Sequence, residues 1–202
     1  QDKIVVFEED GEEATKLLQA AEIVFTLDFN ALHRVGKQMQ SVLEKISPIY
    51  IMIDHHEQPD DYAKFMYSDP NIASTSEMIY HFLDKSDALD SIDNDIASCI
   101  YTGIVTDTGS FKYSATSSNT HLIVAKLMDF GIDHTKIHNR LYDTNSFNRL
   151  QLLGTALNNL KVLHEYKTAY ITISQQELNS YNFKKGDTEG FVNYGLSVEG
   201  IV

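Results

Sequence analysis

Residues 49–62 read "IYIMIDHHEQPDDY", an apolar run that passes directly into Asp54, His55 and His56. The run has the length and the Ile-rich, aromatic composition of a buried strand. Successive strand residues face opposite sides of a sheet, so both imidazoles can address one site only if the strand stops and the backbone turns. The "EQPDD" that follows is a turn signal and predicts that it does.

Working outward, residues 22–28, "EIVFTLD", form a second strand that also ends in aspartate. Between the two, Leu32, Val35, Met39, Val42, Leu43 and Ile46 recur at three- and four-residue steps. That spacing predicts one amphipathic helix, ended by Pro48. Residues 22–54 therefore read as a strand–helix–strand unit with the length of a parallel crossover. The carboxyl ends of parallel strands share a rim, which is where open α/β sheets bind ligands, so Asp28 and Asp54 are expected close together.

The same reading predicts strands at 3–7 and 63–67 and a helix at 12–20. Ser74-x-x-Glu77 has the form of a capping box that starts a helix. Further helices are expected at about 94–106, 118–130, 134–142 and 146–160. From Val162 the texture changes: "VLHEYKTAYITIS" alternates like a strand hairpin, and "QQELNSYNF" reads as a short helix. The expected fold is α/β, a doubly wound parallel-sheet domain over residues 1–145, a linker helix at 146–161 and the opening of a second α/β domain at 162–202. The chain starts at Gln1 on the strand-like "KIVVF" and ends on the apolar "EGIV", which reads as an interrupted strand; both ends suggest a piece of a longer protein.

Side-chain chemistry narrows the function. The helix "NDIASCIYTGIVTD" carries Ile96, Ile100, Gly103 and Ile104 on its expected buried face, with Asp107 nearly three turns beyond Ile96. Asp28, the adjacent histidines and Asp107 would give a mixed nitrogen and oxygen donor set, suited to manganese, iron or zinc rather than calcium. A strand-end aspartate alone is often only a loop cap, and a histidine pair alone can be satisfied by backbone; the weight lies in their convergence. His134-x-x-x-His138 has helical ligand spacing but no accompanying acid, and is read as solvated surface. Cys99 lies in an apolar series and is expected to be a small buried side chain.

The net charge is −13, with three arginines, Arg34, Arg140 and Arg149. This argues against binding duplex DNA through a basic face. An anionic ligand would need bound cations to reverse the local field. No apolar run approaches a membrane span and no secretion signal is visible, which points to the cytoplasm.

The Asp54-His55-His56 triplet resembles the motif that names the DHH phosphoesterase family. "VFTLDFNALHRVG" around Asp28 resembles that family's second motif, "IMIDHHEQP" its third, and "GIVTDTGSFKYS" around Asp107 its fourth. The layout is similar to the branch with a DHH-associated C-terminal domain, which degrades very short RNA and removes the 3′-phosphate of adenosine 3′,5′-bisphosphate. The resemblance implies two manganese ions at the rim of the sheet, with Asp28, His55 and Asp107 as metal ligands. It implies His56 on the substrate phosphate as a catalytic group, Asp54 supporting the histidines from behind, and in-line attack by water between two metals. Short RNA or a small nucleotide is the implied substrate, with a homodimer left open. The family's first motif and its glycine-rich C-terminal segment are absent from the sequence. Cyclic-dinucleotide hydrolysis, a manganese pyrophosphatase and a non-catalytic nucleic-acid-binding scaffold with this fold are the competing readings.

Overall fold

A computed structural model describes residues 4–201. The chain folds as two compact units, residues 1–137 and 138–202. The first is built on three parallel strands in the order β1 (Ile23–Leu27), β2 (Ile49–Asp54) and β3 (Phe65–Ser68). β2 is central, and its run of Ile, Tyr, Ile, Met and Ile buries Met52 and Ile53 almost completely. The register pairs Leu27 with Ile53 and Asp54 with Ser68, so the three strands reach the carboxyl rim together. This is the α/β parallel-sheet architecture expected from the sequence.

Both faces carry helices, as a doubly wound sheet requires. On the face of Phe25 and Tyr67, α3 (Thr75–Lys85) packs through Phe82, whose ring meets that of Phe25 edge-on at 5.9 Å. On the other face the hydroxyl of Tyr50 donates to the carbonyl of Leu43 at 2.7 Å. Leu43 closes α2 (Lys37–Leu43), and α1 (Gly11–Ala20) packs beside α2. α4 (Asn94–Asp107) and α5 (Ser118–Asp129) complete this unit's main core, with Ala97, Ile100, Ile104, Val105, Ile123 and Leu127 inside it. Burying each of the larger aliphatic side chains contributes about 1.5–3 kcal/mol.

In the second unit, α7 (Phe147–Asn158) sets Leu152 and Ala156 against Phe191. The expected hairpin is present as antiparallel β4 (Lys161–Leu163) and β5 (Thr168–Tyr170), followed by α8 (Gln175–Ser180) and α9 (Val192–Leu196). Among the described residues no helix is long and apolar enough to cross a membrane.

The structure corrects several expectations. Residues 4–7 form no strand and Ile4 is largely exposed, while Lys3 lies outside the described residues. Residues 198–201 are turn and coil rather than an interrupted strand, with Val202 outside the described residues. The helix expected from Leu32 to Ile46 is broken: a 3-10 turn at Leu32–Val35 ends at Gly36, and α2 starts after it. Gly36 has φ 82° and ψ 153°, a region essentially reserved for glycine, so apolar spacing carried across it did not make one helix. The helix at 134–142 is α6 (His134–His138) continued by a π turn at Asn139–Asp143. Cys99 is exposed, although its neighbour Ile100 is buried. Ile96 is likewise 40 % exposed, so the buried stripe of α4 is narrower than its composition suggested.

A Cβ at position 36 would meet no atom within 4 Å, which leaves backbone strain as the main effect of a substitution there. Gly36→Ala is expected to lower unfolding stability by about 1–3 kcal/mol in a denaturant melt.

Candidate metal centre

Strand β2 stops at Asp54, and the chain bends through His56–Gln58 with Gln58 at φ 59°. That turn lets two adjacent imidazoles share one side of the rim; their rings meet edge-on with centroids 4.7 Å apart. Asp28 continues the β1 ladder by one bond, its N–H donating to the carbonyl of Ile53 at 3.2 Å. It then takes φ 66°, a left-handed conformation costly for a residue with a side chain and most often found where surrounding contacts enforce it.

Three side chains singled out by the sequence converge here. Nε2 of His55 lies 3.7 Å from Oδ1 of Asp28 and 4.0 Å from Oδ2 of Asp107. The other ring nitrogen explains the orientation: Nδ1 of His55 sits 3.2 Å from the carbonyl oxygen of Ile72. A carbonyl only accepts, so Nδ1 carries a hydrogen, and Nε2 is the ring atom turned towards the two carboxylates. This is how ligating histidines are commonly set. Asp28, His55 and His56 also offer ligand atoms that all lie within 4.8 Å of one another, a cluster able to hold a metal ion.

His56 has a different anchor. Asp54 is fully buried, and its carboxylate accepts from the backbone N–H of His56 at 2.8 Å and from Nδ1 of the same residue at 2.9 Å. Asp54 therefore orients His56, while the Ile72 carbonyl orients His55; the family resemblance implied Asp54 behind both. With Nδ1 engaged, Nε2 is the outward atom of His56.

Other residues at the site carried no sequence signal beyond ordinary loop or cap chemistry. Buried Asn30 donates to the carbonyls of His56 and Glu57 at 3.1 and 2.8 Å, fixing the turn after the triplet. The hydroxyl of Thr75, the first residue of α3, donates to Oδ1 of Asp28 at 2.9 Å. Tyr62 shares a hydrogen bond with the buried hydroxyl of Thr26 at 2.6 Å, beneath the rim. His134 and His138 are not in the metal-capable cluster.

The electrostatics favour a cation. Asp107 is the last residue of α4, where the helix dipole is negative. Its carboxyl is raised above the ordinary 3.8, first by burial and then by the charge of Asp28, with His55 and His56 opposing. Two carboxylates with Nε2 of His55 between them fit a divalent transition metal, in donor type and in charge.

This arrangement, a parallel sheet with acids and histidines gathered at its carboxyl rim, defines an α/β protein with a rim cluster able to hold a cation. The profile of the DHH family, N-terminal domain, matches residues 3–104, and the chain belongs to the DHH family. It is 29% identical over 150 residues to the bifunctional oligoribonuclease and PAP phosphatase NrnA of Bacillus subtilis, covering 74% of this chain and 47% of the relative. A probable protein of the same name from Streptococcus mutans is 29% identical over 143 residues, covering 71% and 45%. The chain thus spans about half the length of these curated relatives. A crystal structure of an exopolyphosphatase-related protein from Bacteroides fragilis aligns with all of this chain and 59% of its own at 36% identity, with a TM-score of 0.95. A putative family II inorganic pyrophosphatase from Methanococcus jannaschii, 20% identical with a TM-score of 0.50 over 79% of this chain and 55% of its own, shares the fold.

The raised Asp107 carboxyl gives a pH prediction for the metal-free protein. Its cost to stability is absent well below pH 3.8, grows as pH rises through the interval up to the folded value, and is constant above it. Metal-free Asp107→Asn should therefore melt higher than metal-free wild type at neutral pH. The gap should close on acidification, and saturating manganese should reverse the order; thermal melts across pH measure all three.

Proposed function

We propose that this chain supplies the metal-binding site of a manganese-dependent phosphoesterase that hydrolyses short oligoribonucleotides to mononucleotides or removes the 3′-phosphate of adenosine 3′,5′-bisphosphate. The observation that carries the reading is the approach of Asp28 and Asp107 to the same ring nitrogen of His55. The names of the B. subtilis and S. mutans relatives support the substrate class.

In this reading Asp28, His55 and Asp107 hold the cation, and a second ion completes the site in the whole protein. When bound, a metal there would supply positive charge against the phosphate oxygens and would lower the pKa of a water placed for in-line attack. The chain's own groups do the rest. His56, held at Nδ1 by Asp54, directs Nε2 outward to hydrogen-bond a phosphoryl oxygen or to give a proton to the departing oxygen. Asp54 is a positioning residue, because it is buried against His56 and has no exposed surface to offer a substrate. Because the chain is acidic, a bound cation would supply the positive charge that an anionic substrate needs. Residues 162–202 would open the second, substrate-selecting domain, and the protein would work in the cytoplasm.

The B. fragilis neighbour is described as exopolyphosphatase-related, which places inorganic polyphosphate beside dinucleotides, adenosine bisphosphate, cyclic dinucleotides and pyrophosphate as substrates to compare. The test uses the full-length protein. Calorimetry should show manganese binding that Asp28→Asn removes; absence of binding in wild type would favour a scaffold. His56→Ala should keep manganese affinity within a few-fold and lower kcat on a dinucleotide about 10²–10⁴-fold. Full turnover by that variant would remove His56 from the reaction.

A further inference from the structure

Two Ser-x-x-Glu sequences begin helices in this protein, and their glutamates behave differently. At α8 the box closes: Ser174 N–H donates to Oε2 of Glu177 at 2.6 Å, and Glu177 N–H donates to the Ser174 hydroxyl at 3.2 Å. At α3 only the serine half is made, Glu77 N–H donating to the Ser74 hydroxyl at 3.1 Å. Glu77 is instead 3 % exposed and turned inward. Its Oε2 accepts from the hydroxyl of Thr120 at 2.8 Å, and Oε1 lies 3.4 Å from the amide of Asn119 and 4.0 Å from Nε2 of His81.

Thr120 itself belongs to the capping box of α5. It is fully buried, and its oxygen accepts from Ser117 N–H at 3.2 Å while its hydrogen goes to Glu77. The Glu77 carboxylate thus locks the first turn of α3 to the first turn of α5. A buried carboxylate that gives up its local capping partner for a long-range one fixes register strongly, because leaving it unpaired is costly.

What that register positions is the metal centre. The short segment 72–77 touches both proposed ligands from the β-strand rim: the Ile72 carbonyl sets the His55 ring, and the Thr75 hydroxyl sets Oδ1 of Asp28. We infer that Glu77, through its bond to Thr120, is a positioning residue that holds Ile72 and Thr75 where they orient His55 and Asp28 for the cation. This rests on the metal reading of the site. Groups that orient a ligand in this way typically change metal affinity about 10–100-fold.

The test is manganese affinity by calorimetry on full-length protein, with thermal melts confirming that each variant is folded. Thr75→Val should bind about 10-fold more weakly, and Thr75→Ser, which keeps the hydroxyl, within about 2-fold of wild type. Glu77→Ala should lose at least as much as Thr75→Val, and the double variant no more than Glu77→Ala alone. In the metal-free protein, nitrogen-15 shifts should show His55 with its hydrogen on Nδ1, and a mixture of tautomers in Glu77→Ala. Should Glu77→Ala fail to fold, Thr120→Val removes the same hydrogen bond from the other side and carries the same expectation. Wild-type protein that binds no cation overturns the metal reading and this inference together. Wild type that binds, with Glu77→Ala or its Thr120→Val substitute binding equally tightly or with losses that multiply in the double variant, overturns this inference alone.

Discussion

The parallel ladder between β1 and β2 is the constraint on which the rest depends. Its register places Leu27 beside Ile53, so each strand's next residue is an aspartate on the same rim. One of these, Asp28, leaves the ladder in a left-handed conformation and faces solvent; the other, Asp54, is buried beneath the turn it supports. A slip of one residue would send every β2 side chain to the opposite face and separate Asp28 from His55. The burial of Met52 and Ile53 opposes such a slip, so the core of the sheet and the geometry of the site are specified by the same side chains.

Around that rim, each imidazole has its own partner. His55 is set by a backbone carbonyl and His56 by a buried carboxylate, two anchors of different chemistry suited to two different tasks. A carbonyl partner fixes the tautomer of a neutral ring and leaves the opposite nitrogen a good ligand. A carboxylate partner such as Asp54 suits the proposed role of His56, a ring that would face phosphate or pass a proton. Adjacent residues of the same type are thereby differentiated by what lies behind them.

Much of this was legible in the sequence. β2 runs over the residues its composition indicated, and the shared rim of the two aspartates followed from parallel pairing alone. Asp107 could be placed because a helix of known rise ends there. The pattern failed where one glycine with a special backbone conformation interrupted an apolar series, at Gly36, and where apolar composition overstated burial, at Ile96 and Cys99. Asn30, Thr75 and Glu77 were out of reach for another reason. Each is a common polar residue at a loop or helix start, where local capping accounts for it, and only tertiary pairing shows that Asn30 ties down the triplet turn and Glu77 reaches a different helix.

Anomalous diffraction at the manganese edge decides whether Asp28, His55 and Asp107 share one cation. In crystals of the full-length protein grown with manganese, a peak is expected within bonding reach of Nε2 of His55 and of both carboxylates. Manganese ordered elsewhere in the molecule, with this position empty at saturating concentration, would contradict it.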